Sequence, residues 1–329
     1  MPMNAFIQLF MNPAIISLGI GILCGLYSSL SFPRILMQAI STYLIFTIGF
    51  KGGSCLGVGH ECTPPLIMLT LLGALIGCIQ PFINYYILKK TTAVDKETAA
   101  VIASEYGSIS IITFITALNF LTEHSIPYDT FMSATAGILE LPGLFSGLLI
   151  LKKIQKRGDQ SLYQSLIRIC KAIISCKQIS SIFIGFLAGF LLRSYDITQL
   201  NSTIIWPFNL LLIFFMIDIG IKIAQQKSSL HLFSPSLIAF ALYMPIINGS
   251  IGIVIGSHIV TTTGTLFLFA LLLSSASYIA VPAIMRGQTK TAKEAIYLPL
   301  SLGITLPFNI LIGIPLYYYL ASYMLSLSA

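Results

Sequence analysis

Two short polar stretches inside apolar sequence carry the chemistry of this chain. The first, Ala103-Ser104-Glu105-Tyr106-Gly107-Ser108-Ile109-Ser110-Ile111, sets a carboxylate, a glycine and several hydroxyls in one run. The second, Ser274-Ser275-Ala276-Ser277-Tyr278-Ile279-Ala280-Val281-Pro282, follows about 171 residues later. Hydrocarbon offers no partner to a charge or to unpaired backbone, so such interruptions are either buried in protein or built to bind something. In the first, Gly107 permits backbone geometry that a branched residue resists, predicting a helix break around Tyr106 to Ser108, with Ser108 and Ser110 starting a second half-helix. In the second, Pro282 removes an amide hydrogen and opens the helix near Ser275 to Ile279. A helix start presents free amide hydrogens and partial positive charge, which favour a small anion without any cationic side chain. The hydroxyls of Ser274, Ser275 and Ser277 suit either a hydrogen-bonding anion or a cation. The plainer alternative is that small residues let helices pack closely.

Two carboxylates accompany these stretches, Glu105 and, in a later apolar run, Glu140. A buried carboxylate is costly alone, so each calls for a cation, a proton or a set of donors. Sodium takes hard oxygen ligands, and Glu140, Thr305, Asn309 and the serines of the second stretch are the candidates to supply them, with Glu105 as ligand, proton carrier or polar packing. Thr113 and Asn119 are further candidates, while Asp218, one turn before Lys222, reads as half of an interfacial ion pair.

The elements that must hold these residues are membrane helices. Of 329 residues, 56% are apolar and only 9% charged, with a mean hydropathy of +0.90, where soluble domains carry about a quarter charged residues. The chain is therefore an all-α polytopic membrane protein. No basic residue precedes the first apolar run and no small-residue cleavage pattern follows it, so that run is expected to remain as a span. A net charge of +7 without aromatic and basic interleaving orients the chain in a bilayer and argues against nucleic acid. Six cysteines form no close CxxC pair, against a metal or redox site; Cys55 and Cys62 alone are placed to pair on an oxidising side.

Crossing about 30 Å of hydrocarbon takes about 20 residues, and ten runs qualify: Ala14 to Leu30, Ile35 to Phe50, Leu66 to Leu88, Thr98 to Leu121, Phe131 to Leu151, Ile179 to Leu192, Ile204 to Ile223, Pro235 to Ile255, Val260 to Met285 and Tyr297 to Tyr319. With both termini outside, 16 of the 18 basic residues fall on inner connections, leaving Lys51 and Arg193 outside; the positive-inside rule selects that orientation. The hydrophilic stretch Lys152 to Lys177 is then cytoplasmic, and its Leu162, Leu166, Ile169 and Ile173 recur at helical spacing beside Arg168 and Lys171, as in a basic amphipathic helix lying on the inner leaflet or docking a regulator.

That linker (152–178) separates halves 1–151 and 179–329, and the halves rhyme. Ile48-Gly49-Phe50-Lys51 matches Ile219-Gly220-Ile221-Lys222, the two polar stretches match, and Glu140-Leu141-Pro142 matches Thr305-Leu306-Pro307. The offsets are 171, 172 and 165, in order, as an internal duplication requires. Five spans per half set the copies in opposite orientations, a 5+5 inverted repeat with broken, crossing helices in spans four and nine, the architecture of secondary transporters.

At this point the residues resemble a family. Phe50-Lys51-Gly52-Gly53, Tyr106-Gly107-Ser108-Ile109-Ser110 before Thr113-Phe114, Ser275 to Ala283 with Met285-Arg286, Pro307-Phe308-Asn309-Ile310 and Gly313-Ile314-Pro315-Leu316-Tyr317 closely resemble the cyanobacterial-type sodium-dependent bicarbonate transporters, over nearly the whole chain. The resemblance implies a gate domain (spans one, two, six and seven), a core domain (three to five and eight to ten), sodium-coupled bicarbonate import across a bacterial inner membrane, a homotrimer, and in many members inhibition by a PII-like cytoplasmic protein. It places the anion between Gly107, Ser108 and Ser110 on one side and Ser275, Ala276 and Ser277 on the other, with sodium as coupling ion and no other cofactor. The short central connection departs from the family's pattern where the regulator is expected. Rival readings keep the fold and change the cargo to an organic anion or to sodium-proton exchange, or make the protein an anion channel. No HExxH or GxSxG motif supports an enzyme.

Overall fold

The computed structural model describes residues 13–28, 30–54, 64–155, 177–192, 197–226, 232–289 and 291–328, and among these the regular elements are helices, with no strand. In chain order they are α1 (Pro13–Tyr27), α2 (Arg34–Ser54), α3 (Pro64–Thr91), α4 (Lys96–Glu105), α5 (Ile111–Glu123), α6 (Met132–Ile154), α7 (Lys177–Leu192), α8 (Ile197–Gln225), α9 (Pro235–Gly256), α10 (Thr263–Ser274), α11 (Ala280–Arg286) and α12 (Glu294–Leu327). Long apolar runs satisfy their own backbone only as helices when water is absent. Six of these helices are long and apolar enough to cross a membrane, by length and composition, and α1, α5, α7 and α10 contain shorter apolar helices.

The predicted run from Thr98 to Leu121 is not one helix but α4 and α5, and the run from Val260 to Met285 is α10 and α11. The second break occupies residues 275–279, where Pro282 predicts it. The first extends over 106–110, two residues further than expected, because Ser110 and not Ser108 caps α5: the Ser110 hydroxyl accepts from the Thr113 amide at 3.2 Å, satisfying one of the donors that a helix start leaves open.

Two kinds of packing surround the breaks. α2 lies along α7, and α1 along α8, backbone against backbone. A Cβ placed on Gly49 would lie 2.1 Å from the Ile182 carbonyl oxygen, and one on Gly185 2.2 Å from that of Phe46; on the other pair, Gly21 faces Ile217 and Gly220 faces Leu18 at 2.2 and 2.3 Å. Only glycine admits that approach, the device by which membrane helices gain dispersion energy without a hydrophobic drive. The buried apolar side chains form two clusters. One gathers α5 and α10 with the end of α12, its rings Phe120, Phe267 and Tyr318 meeting edge to face. The other gathers α4, α9 and α11 around Tyr106, Phe240 and Tyr297. The two breaks lie between these clusters.

Opposite the breaks, α12 loosens into two π-helical turns, Ser301–Thr305 and Asn309–Gly313, on either side of Leu306–Phe308. Pro307 withholds an amide hydrogen there, so the register widens and Thr305 and Asn309 turn inward. The Asp218–Lys222 ion pair forms at 2.5 Å within α8, as its spacing predicts. The amphipathic pattern from Leu162 to Ile173, Cys55, Cys62, Cys170, Cys176 and Arg193 lie outside the described residues.

Candidate functional site at the meeting of two broken helices

The breaks are joined by two hydrogen bonds running in opposite senses. The Ser277 amide donates to the Glu105 carbonyl at 2.9 Å, and the Ser110 amide donates to the Ser275 hydroxyl at 2.8 Å. Each break thus uses backbone exposed by its own irregularity to satisfy the other, as buried polar groups require. Ser275 passes its hydroxyl hydrogen to the Leu272 carbonyl at 2.9 Å. The Ser277 hydroxyl accepts from the Val281 amide at 3.4 Å and Thr113 donates to the Ser110 hydroxyl at 2.9 Å.

Beside this join lies a cavity of about 10 Å³ lined by Ile109, Ser110 and Ile111 from the first break, Ser277, Tyr278 and Ile279 from the second, Glu140 from α6 and Ile45 from α2. That is room for one water-sized species. The amides of Ile111 and Ile112, and of Tyr278 and Ile279, donate to no protein acceptor among the described residues. The Glu140 carboxylate is buried and its Oε2 has no hydrogen-bond partner there, and no lysine or arginine is among the lining residues. Of the residues with unpaired amides, Ile111, Tyr278 and Ile279 line the cavity, so backbone amides from both breaks supply positive potential beside one carboxylate, the ingredients for an anion and a cation side by side.

The residues singled out from sequence divide. Ser110, Ser277 and Glu140 line the cavity. Ser275 holds the join. Ser108 is set back: its hydroxyl donates to the Glu140 carbonyl at 2.9 Å, so it positions α6 instead of starting α5. Gly107 is not left-handed. It is glycine because a Cβ would lie 2.4 Å from Pro81 of α3, and the Gly107 carbonyl in turn fills the space beside Gly143, where a Cβ would stand 2.0 Å from it. Ala276 is buried in the cluster around Tyr106. The expected single group of sodium ligands is split. The Thr305 hydroxyl pairs with the Tyr106 hydroxyl at 2.5 Å and donates to the Ala241 carbonyl, and the Asn309 amide donates to the Ser274 carbonyl at 3.1 Å. Glu105 is fully buried with neither carboxylate oxygen in a well-formed hydrogen bond, since the neighbouring Ser301 hydroxyl is directed at the carbonyls of Tyr297 and Leu298. Thr113 supports Ser110, and Asn119 lines a separate cleft of about 170 Å³ with Glu123 and Asn209.

Sequence reasoning missed Ile45, Ile109, Ile111, Tyr278 and Ile279 as cavity walls. Tyr278 carried a signal, as the counterpart of Tyr106 at an offset of 172. Ile45, one apolar residue in an apolar helix, carried none.

A family model described as the Na+-dependent bicarbonate transporter superfamily matches residues 13–322. Among curated proteins none matches the chain.

Proposed function

The chain belongs to the Na+-dependent bicarbonate transporter superfamily, and from that premise we propose that it is a sodium-coupled symporter that carries bicarbonate into the cell by alternating access. It is a multi-pass membrane protein, and membership of a transporter family makes it a carrier and not an enzyme. Counting α4 with α5 and α10 with α11 as single crossings makes ten spans, arranged as an inverted repeat of residues 1–151 and 179–329. The helix partnerships support this: α2 on α7 and α1 on α8 exchange under the repeat, and so do the close approaches of Gly49 and Gly220. In the same reading α1, α2, α7 and α8 form the gate, the other helices form the core, both termini face outward, loop 152–178 is cytoplasmic, and the protein assembles as a homotrimer in a bacterial inner membrane with a PII-like regulator.

One observation carries the proposal: a buried carboxylate and residues with unpaired amides from both breaks, Ile111, Tyr278 and Ile279, line one cavity. Two like charges about 4 Å apart repel by about 4 kcal/mol at an effective dielectric near 20, a penalty of roughly a thousandfold in affinity. An anion held by the amides of Ile111, Tyr278 and Ile279 beside the Glu140 carboxylate therefore binds well only after a cation has neutralised that carboxylate. Sodium, with the Glu140 carboxylate and the hydroxyls of Ser110 and Ser277 as oxygen ligands, makes the anion site, and coupling follows from the charge balance. The cavity holds a single water-sized species, whereas bicarbonate has four heavy atoms, so loading requires α2 with Ile45 to move away from the breaks. That is a displacement of gate against core.

Uptake of labelled bicarbonate into proteoliposomes under an inward sodium gradient tests the reading. Uptake at least tenfold above that in a potassium gradient is expected, and uptake indifferent to sodium overturns it.

A further inference from the structure

Far from the cavity, the ends of the broken helices are tied by two matching contacts. At the third residue of α4, the fully buried Thr98 hydroxyl donates to the Asp95 carboxylate at 2.6 Å and accepts from the Lys293 amide at 2.8 Å. At the third residue of α10, the fully buried Thr265 hydroxyl donates to the Asp129 carboxylate at 2.7 Å and accepts from the Asp129 amide at 2.9 Å. Lys293 lies in the connection that leaves α11, and Asp129 in the connection that leaves α5. In both cases a threonine opening the first half of one broken helix grips the chain leaving the second half of the other. Thr98 and Thr265 stand 167 residues apart and Asp129 and Lys293 164 apart, close to the offsets of the repeat.

We propose that Thr98 and Thr265 are positioning residues for the transport site: a pair of hydroxyl latches, one at each end of the crossed helices, that keep the two breaks aligned while the core moves. At the breaks themselves the helices are joined through the Ser277 amide and the Ser110 amide, and a half-helix pivoting at its far end misaligns the amides around the cavity. The hydroxyl is needed for its double role. It accepts a buried amide hydrogen and at the same time donates to a carboxylate, which valine, of the same shape, cannot do and serine can. The Thr98 latch is reinforced. Glu97 accepts from the Thr291 amide at 3.0 Å and from Gln155 at 2.9 Å, and Gln155 also reaches the Gln288 carbonyl. Both bonds of the Thr265 latch go to one residue, Asp129, whereas those of Thr98 are shared between Asp95 and Lys293, so the Thr265 latch is the more sensitive of the two.

The inference rests on the transport reading for its kinetics but not for its structural test. In hydrogen-exchange measurements on the purified, detergent-solubilised protein, the amides of Asp129 and Lys293 are expected to exchange at least a hundredfold more slowly than their exposed neighbours. Exchange at the neighbours' rate overturns the latch whatever the protein carries. In proteoliposomes, Thr265→Val is expected to raise the half-saturating concentrations of labelled bicarbonate and of sodium together by about tenfold with the maximal rate kept within twofold, Thr98→Val to raise them about threefold, and Thr265→Ser and Thr98→Ser to restore both. Valine variants with unaltered half-saturation, or serine variants as impaired as the valine ones, overturn the positioning role. If the valine variants fail to fold, the exchange rates in the unaltered protein and the serine variants still decide it.

Discussion

Glu140 and Thr305 occupy matching places in the two halves of the chain, each followed by Leu-Pro, yet the structure treats them oppositely. Glu140 faces a cavity with one carboxylate oxygen unpartnered. Thr305 faces a filled interior, bonded to the Tyr106 hydroxyl and the Ala241 carbonyl. Their surroundings differ likewise: α6 runs as one helix through Pro142, whereas α12 breaks into π-helical turns around Pro307. In the proposed repeat both halves must cross and pack, but the proposed site needs only one of them to keep a polar group unsatisfied. Thr305 spends its hydroxyl on structure, and Glu140 keeps an unpartnered carboxylate oxygen at the cavity.

That contrast can be broken most forcefully at the carboxylate. Glu140→Gln removes the charge that makes anion binding depend on a cation, and sodium-driven bicarbonate uptake is expected to fall at least a hundredfold, with residual uptake no longer responding to sodium; a flux titration against external sodium checks both. Thr305→Val, the matching change on the other side, is expected to keep the sodium response and to lower uptake no more than about fivefold. If the two variants behave alike, the two faces are not divided as the geometry divides them.

A second contrast separates groups that line the cavity from groups that support it. Ser277→Ala is expected to raise the half-saturating sodium and bicarbonate concentrations about tenfold, since it removes a cavity hydroxyl. Ser108→Ala, which frees only the Glu140 carbonyl from a supporting bond, is expected to shift them about threefold. The smallest effect is structural: Tyr106→Phe gives up a hydrogen bond worth about 1 kcal/mol and is expected to lower the midpoint of thermal unfolding by a few degrees with transport retained. A thermal melt in detergent beside an uptake assay reads both.

Much of the fold was legible because membrane helices announce themselves locally. Outside the two breaks and a few residues at their ends, the apolar runs named from composition are helical over their described residues, and Pro282 located the second break, because a missing amide hydrogen acts on its own helix. The first break was read less well. Gly107 suggested an unusual backbone torsion, but its small size answers to Pro81 and Gly143, residues about 26 and 36 positions away, and no local pattern reports a contact of that kind. For the same reason Ser108 looked equivalent to Ser110.

What the sequence determined by itself was the class of protein, the position of two polar interruptions in apolar helices, the rhyme between the halves, and the presence of buried carboxylates without basic partners nearby in the chain. These follow from hydropathy, proline chemistry and spacing, all of which act over a few residues. Which polar groups are left over was decided only in three dimensions. Glu140, Ser110 and Ser277 came to share a cavity, while Thr305 and Asn309 were drawn into bonds with carbonyls of α9 and α10. A hydroxyl binds whichever acceptor the packing brings to it first, and the packing is set by close approaches between glycines and distant backbone, so the free groups of the site are a remainder that only the assembled fold defines.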